Sequence, residues 1–100
     1  MAKGYWIAQV DVEDIKRYGE YSALIDATLA PFGGRFLVRG GRREAVEGVT
    51  RQRAILIEFA SYEQALACYR SAAYQAIIPL RAGAAMADIV VVEGEGEGAR

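Results

Sequence analysis

The chain has 100 residues, 53% apolar and 25% charged, a balance that fits one domain around one core and excludes wholesale disorder or a collagen-like chain. Twelve Lys and Arg against thirteen Asp and Glu leave a net charge of −1, so no bulk attraction draws the chain to nucleic acid or to an anionic membrane. The sequence has no histidine and one cysteine, which excludes Ser-His-Asp and Cys-His nucleophiles, His-ligated metal or haem sites, and an internal disulfide.

Residues 5–12 alternate, with Trp6, Ala8, Val10 and Val12 on one side and Tyr5, Ile7, Gln9 and Asp11 on the other, a period of two that predicts a strand. Asp14 then predicts a helix N-cap, since its carboxylate can accept from the free N–H groups of a first turn. Ile15, Tyr18, Ile25, Leu29 and Phe32 follow at spacings that share one helical face. Gly33-Gly34 ends that helix. Arg35–Arg39 reads as a second strand, with Phe36 and Val38 opposite Arg35, Leu37 and Arg39. Gly40-Gly41 predicts a bulge before the strand resumes over 43–47. After a turn at Gly48-Val49-Thr50, residues 51–59 return as the other arm of a long hairpin.

Ser61 and Gln64 have the spacing of a capping box for a helix over Tyr62–Arg70. Ser71 recaps a further helical piece over Ala72–Arg81, where Pro79 removes an interior hydrogen bond. Residues 86–92 predict the last strand, so the domain spans 1–93 and the glycine-spaced acidic tail, 94–100, is expected to be disordered. No signal-peptide pattern opens the chain, and the apolar run at 89–92 is far short of the ~20 residues of a membrane helix, so a cytoplasmic protein with no membrane partner is expected. Cys68, in a helical stretch, reads as a packed thiol with no chemical role.

Strand, helix, strand, repeated and joined by a hairpin, is the split βαβ plan of an α+β ferredoxin-like fold. It predicts a four-stranded antiparallel sheet in the order 4-1-3-2 with the helices on one face. The other face then carries Tyr5, Ile7, Leu37, Ala54, Leu56 and either Val90 and Val92 or Ile89 and Val91, more apolar surface than a monomer leaves in water. The economical cover is a second copy packed sheet on sheet about a two-fold axis.

Gly4-Tyr5-Trp6-Ile7-Ala8, the stretch Gly33-Gly34-Arg35-Phe36-Leu37-Val38-Arg39-Gly40-Gly41, Ile57-Glu58-Phe59 with Ser61-Tyr62 and Ala65, then Tyr69, Ser71 and Tyr74, and finally Ala87-Asp88-Ile89-Val90 together resemble the small bacterial family called domain of unknown function 1330. The resemblance covers nearly the whole chain apart from the acidic tail. It implies a dimeric α/β barrel, in which two ferredoxin-like protomers pair through their sheets. Relatives in that superfamily include cofactor-independent monooxygenases, haem-degrading enzymes, muconolactone isomerases and chlorite-dismutase-like proteins. The family itself has no agreed activity.

For a site, the first and third strands are taken as parallel neighbours, which places Asp11 and Glu58 at one end of the bare face. A register shift at Gly40-Gly41 would bring Arg39 across from Glu58. Asp11 and Glu58 are the candidate catalytic carboxylates, able to share one proton, and Arg39 is the anchor for an anionic ligand. The same three residues also make a plain bridging network across a dimer seam. Tyr18 and Tyr21, with Tyr69 and Tyr74, either line a cavity between helices and sheet or fill the core. Six arginines at 35, 39, 42, 43, 51 and 53 against Glu44 and Glu47 give the hairpin a local charge of +4. Only Phe36 accompanies them, on the side expected to be buried, so this reads as a solvated hairpin rather than a nucleic-acid surface. Neither glycine pair precedes a helix, which excludes a phosphate loop.

The function expected is a homodimer that binds a small anionic or aromatic molecule near the sheet and first helix. With no cofactor and no metal expected, its sharper form is a cofactor-independent oxygenase or isomerase. The alternative is a non-catalytic binding or assembly module.

Overall fold

The helix ends follow from their caps. The structure, a computed structural model, describes residues 2–96. Strand β1 (Gly4–Val12) leads to helix α1 (Ile15–Leu29), which begins where the Asp14 carboxylate accepts the Arg17 N–H at 3.1 Å. A single 3-10 turn, Ala30–Phe32, and Gly33 at φ +69° close it. Strands β2 (Arg35–Arg39) and β3 (Arg53–Phe59) precede helices α2 (Tyr62–Arg70) and α3 (Ala72–Arg81), and strand β4 is Ala85–Glu93. Ser61 accepts the Gln64 N–H at 3.1 Å to start α2. Ser71 both ends α2, donating its hydroxyl to the Cys68 carbonyl at 2.7 Å, and starts α3, accepting the Tyr74 N–H at 3.2 Å.

The sheet order is β2-β3-β1-β4, which is 4-1-3-2 read from the other edge, and every neighbouring pair is antiparallel. The expected parallel pairing of β1 and β3 is therefore corrected. The β1–α1–β2 crossover makes β1 and β2 run alike, and the chain reverses between β2 and β3.

A second correction concerns the bulge, which lies between Phe36 and Val38 and leaves Leu37 as the extra residue. Val38 therefore pairs with Leu56 and shares its open side, while Arg39 pairs with Ile55 and turns toward the helices. Gly40 and Gly41, at φ +80° and +39°, end the strand instead of bulging it. Residues 40–52 form no strand, so the long hairpin is absent and β3 begins at Arg53.

The core lies between the helices and one side of the sheet. Trp6 and Ile57 are 2% exposed, Phe59 and Leu29 1%, and Tyr74 and Cys68 fully buried. The Trp6 ring meets Tyr74 at 4.9 Å and Phe59 at 5.4 Å between centroids, and its indole N–H donates to the Ala65 carbonyl at 2.8 Å. Side chains buried to this degree contribute about 1.5–3 kcal/mol each. Thus Trp6 fastens α2 and α3 to the central strand. Pairing of Ile7 with Val90 and of Tyr5 with Val92 chooses between the two predicted sets on β4, because Ile89 and Val91 turn to the helices.

On the open side Ile7 is 43% and Val90 51% exposed, with Leu37, Val38 and Met86 in the same range. The expected disordered tail, 94–100, opens with Gly94 donating its N–H to the Lys3 carbonyl at 2.7 Å, and its residues 97–100 lie outside the described residues. Among the described residues no helix is long and apolar enough to cross a membrane.

Candidate functional site

A cavity of about 250 Å³ lies between the helix side of the sheet, α1 and the end of α3. Its floor comes from alternate residues of three strands, including Trp6 and Ala8 of β1, Ile55 and Ile57 of β3, and Ala87 of β4. The two alanines explain the space, since their neighbours Val10 and Ile89 fill comparable positions with larger side chains. Helix α1 contributes Tyr18, Tyr21, Ser22 and Ile25, three to four residues apart on one face.

Three cations border this cavity, Arg39 from β2, Arg53 from β3 and Arg81 from α3, and none of its lining residues is acidic. Arg39 is neutralised by Asp26 of α1, with Nη1 3.1 and 3.2 Å from the carboxylate oxygens, and Nη2 donates to the Ser22 carbonyl at 3.1 Å. Its guanidinium also lies 3.9 Å from the Phe36 ring centroid. The Arg53 guanidinium stands 5.7 Å from the Tyr18 ring, and that of Arg81 stands 5.3 Å from the Tyr21 ring.

Arg81 reaches the Tyr74 hydroxyl only at 3.5 Å, and its Nε is buried with no hydrogen-bond partner. A buried donor left so costs about 1–3 kcal/mol. Burial opposes the charge on Arg81, and the Tyr74 and Tyr21 oxygens outweigh it, holding its pKa above the ordinary value. The Tyr21 and Tyr74 hydroxyls are 2.7 Å apart. Burial, first of all, pushes the Tyr18 and Tyr21 phenols up, so both are neutral at neutral pH and Tyr21 engages Tyr74 as a hydroxyl.

Asp11 and Glu58 do not meet. Glu58 pairs with Tyr5, six residues from Asp11 on β1, which is a separation of about 20 Å along the strand. The Asp11 carboxylate accepts the Gln52 N–H and the Arg51 guanidinium, both at 2.8 Å, and Arg51 also reaches Asp88 at 2.8 Å. The Gln52 N–H, with Arg51, holds Asp11 below its ordinary pKa. Glu58 accepts from Arg35 at 3.0 and 3.1 Å and from the Tyr5 hydroxyl at 3.4 Å, with Lys3 Nζ at 3.9 Å. The Arg35 bond, ahead of the Lys3 charge, holds Glu58 low as well. Neither carboxyl stores a proton near neutral pH, which corrects the shared-proton pair. Antiparallel pairing of β2 with β3 sets Arg35, at the start of β2, across from Glu58, while Arg39 lies at the other end of the strand across from Ile55.

Arg39, Tyr18 and Tyr21 do come together around the cavity, with Tyr74 behind them. Arg53 and Arg81 were not anticipated there. The alternation of Arg53 with Ile55 and Ile57 was the available signal for Arg53; Arg81 has none, since only the packing of α3 brings it to the sheet. Cys68 is buried and its thiol is pushed up to about 11 by burial, which makes it inert. Among the described residues no group of three or more Cys, Asp or Glu side chains is placed to hold a metal ion.

Together these features define a ferredoxin-like α+β domain with a cation-bordered cavity between its helices and sheet. The family model described as Domain of unknown function (DUF1330) matches residues 3–95, and the chain belongs to that family. Curated proteins give no match. Among solved structures, a protein of unknown function from Rhodopseudomonas palustris, RPA0582, is similar at 13% identity and a TM-score of 0.74, over 96% of this chain and 85% of that one. A conserved protein of unknown function from Bacteroides thetaiotaomicron, described as a possible oxidoreductase, is similar at 15% identity and 0.58, over 92% and 97% of the two chains. SnoaB, a cofactor-independent oxygenase from Streptomyces nogalater, is similar at 9% identity and 0.55, over 97% of each. At these identities the likeness is one of fold.

Proposed function

We propose that the protein is a cytoplasmic homodimer that pairs through its open sheet face and holds a small anionic or aromatic molecule in the cavity under α1. The cavity carries this reading: it has an apolar floor and three arginines at its border, with no carboxylate in its lining. Such surroundings favour a guest that brings negative charge. They also stabilise negative charge that develops during a reaction, so the catalytic form of the reading is a cofactor-independent oxygenase or isomerase. The fold likeness to SnoaB, itself named a cofactor-independent oxygenase, supports that class. Asp11 and Glu58 take structural roles in it, as ionised ties at opposite ends of the open face.

Thermal denaturation against a panel of small carboxylic acids and phenols tests the ligand. A guest at 100 times its Kd adds about 2.7 kcal/mol of stability, so the melting temperature should climb with concentration. A dimer with no response to any member would instead be a non-catalytic assembly module. Sedimentation tests the pairing. The apolar residues of the open side, Ile7, Val38 and Val90 among them, support a dimer at micromolar concentration that Ile7→Glu dissociates. A wild-type monomer under those conditions would overturn it.

A further inference from the structure

Among the described residues, the arginines that pair with a carboxylate are on the open side or on α1's outer flank: Arg35 with Glu58, Arg51 with Asp11 and Asp88, and Arg39 with Asp26. Arg53 and Arg81 border the cavity as Arg39 does but lie over tyrosine rings instead of against a carboxylate, and no acidic residue lines the space that they face. With the cavity taken as a ligand site, we infer that Arg53 and Arg81 form a carboxylate-binding subsite and that the guest is an aromatic monocarboxylate with a single ring.

Three observations carry this. Arg81 borders the cavity over the Tyr21 ring with no carboxylate among its contacts, and a carboxylate against its guanidinium meets the planar geometry that arginine matches best. The floor is apolar, with Trp6, Ala8, Ile55 and Ile57 offering a surface for a ring rather than for a second charge. The volume, about 250 Å³, falls below the ~300–1,000 Å³ of pockets that enclose drug-sized ligands, which limits the guest to one ring and its acid. The Tyr21 phenol, kept neutral by burial, lies under the Arg81 guanidinium and brings no competing negative charge.

The test compares benzoate with benzamide, its uncharged counterpart of the same shape, by chemical-shift titration of the labelled dimer. Wild type should bind benzoate about tenfold or more tightly than benzamide, since a charge-assisted bidentate contact is worth at least that ratio. The Trp6 indole resonance should move with both probes. Arg81→Gln and Arg53→Gln should each remove most of the benzoate preference, with benzamide, which takes only a neutral hydrogen bond there, losing far less. Arg51→Gln, on the other side of the sheet, should keep the preference. Arg53 is exposed, so its variant decides the matter even where Arg81→Gln fails to fold.

Equal affinity of the two probes, or a preference that survives Arg53→Gln, would overturn the subsite while leaving the cavity as a ligand site. Failure of both probes to bind would overturn the subsite and the cavity reading together.

Discussion

On the open side of the sheet, Arg51 is fastened at 2.8 Å to each of two carboxylates and Arg35 at 3.0 Å to a third. Across the same sheet, under the helices, Arg81 has one long contact to a tyrosine and a buried nitrogen with none. The residue type is the same and the sheet only one residue thick, so the difference lies in what each guanidinium faces. A neutralised arginine fastens the loop after β2 to strands β1 and β4. An unneutralised one keeps its charge through the Tyr21 and Tyr74 oxygens, with one nitrogen left without an acceptor.

The sharpest way to break this contrast uses consecutive residues that point to opposite sides. Trp6→Ala should lower the unfolding free energy by about 3–5 kcal/mol in urea titration, because the ring is no longer buried and its bond to Ala65 is gone. Ile7→Ala, 43% exposed, should cost about 1 kcal/mol in dilute protein, with a cost that grows as concentration favours pairing. Equal costs would mean that the two sides are not unequal.

Gly4→Ala is the next largest. A Cβ there would stand 2.2 Å from the Ser61 carbonyl oxygen, so α2 or β1 must move, at about 1–3 kcal/mol by urea titration. Gly19 of α1 has open space around it, and alanine there should instead stabilise the helix by about 0.5–1 kcal/mol.

The arginines themselves come third. Arg81→Met should change the stability by less than about 1 kcal/mol, because removal of an unpartnered buried donor is offset by loss of the attraction to the Tyr21 ring and the Tyr74 hydroxyl. Arg51→Met should lower the melting temperature, since Asp11 and Asp88 lose their shared cation. Equal losses for both variants would erase the distinction.

The smallest effect is in acid. Glu58 and Asp11 have folded pKa values below their ordinary 4.5 and 3.8, so the stability that they add is present above those values and is lost as pH falls through the lowered ones. Urea midpoints between pH 6 and 3 should therefore decline, and Glu58→Gln should flatten that decline. An unchanged slope would sever Glu58 from Arg35.

Much of the architecture was legible because its causes are local. Asp14, Ser61 and Ser71 begin helices through bonds to residues three positions on, and alternation placed Trp6, Ala8 and Val10 on the covered side. The site was legible only in part. Tyr18 and Tyr21 share a helical face and so arrive at the cavity together. Arg39 arrives there through a shift at Leu37 that no local pattern marked, since Phe36, Leu37 and Val38 suit a regular strand equally well. The pairing of Asp11 with Glu58 failed because strand direction was misread, and that single reversal moves a side chain from one end of the sheet to the other.

The amino-acid order alone determined the helices and the cores of the four strands, though not the loop over 40–52 that reads as strand, and that no histidine chemistry is open to this chain, because each depends on neighbours within a few positions or on composition. Only the tertiary structure decided which arginines find carboxylates and which are left beside the cavity. Charge balance depends on distances between groups far apart in the chain, and one extra residue in β2 is enough to change every partner beyond it.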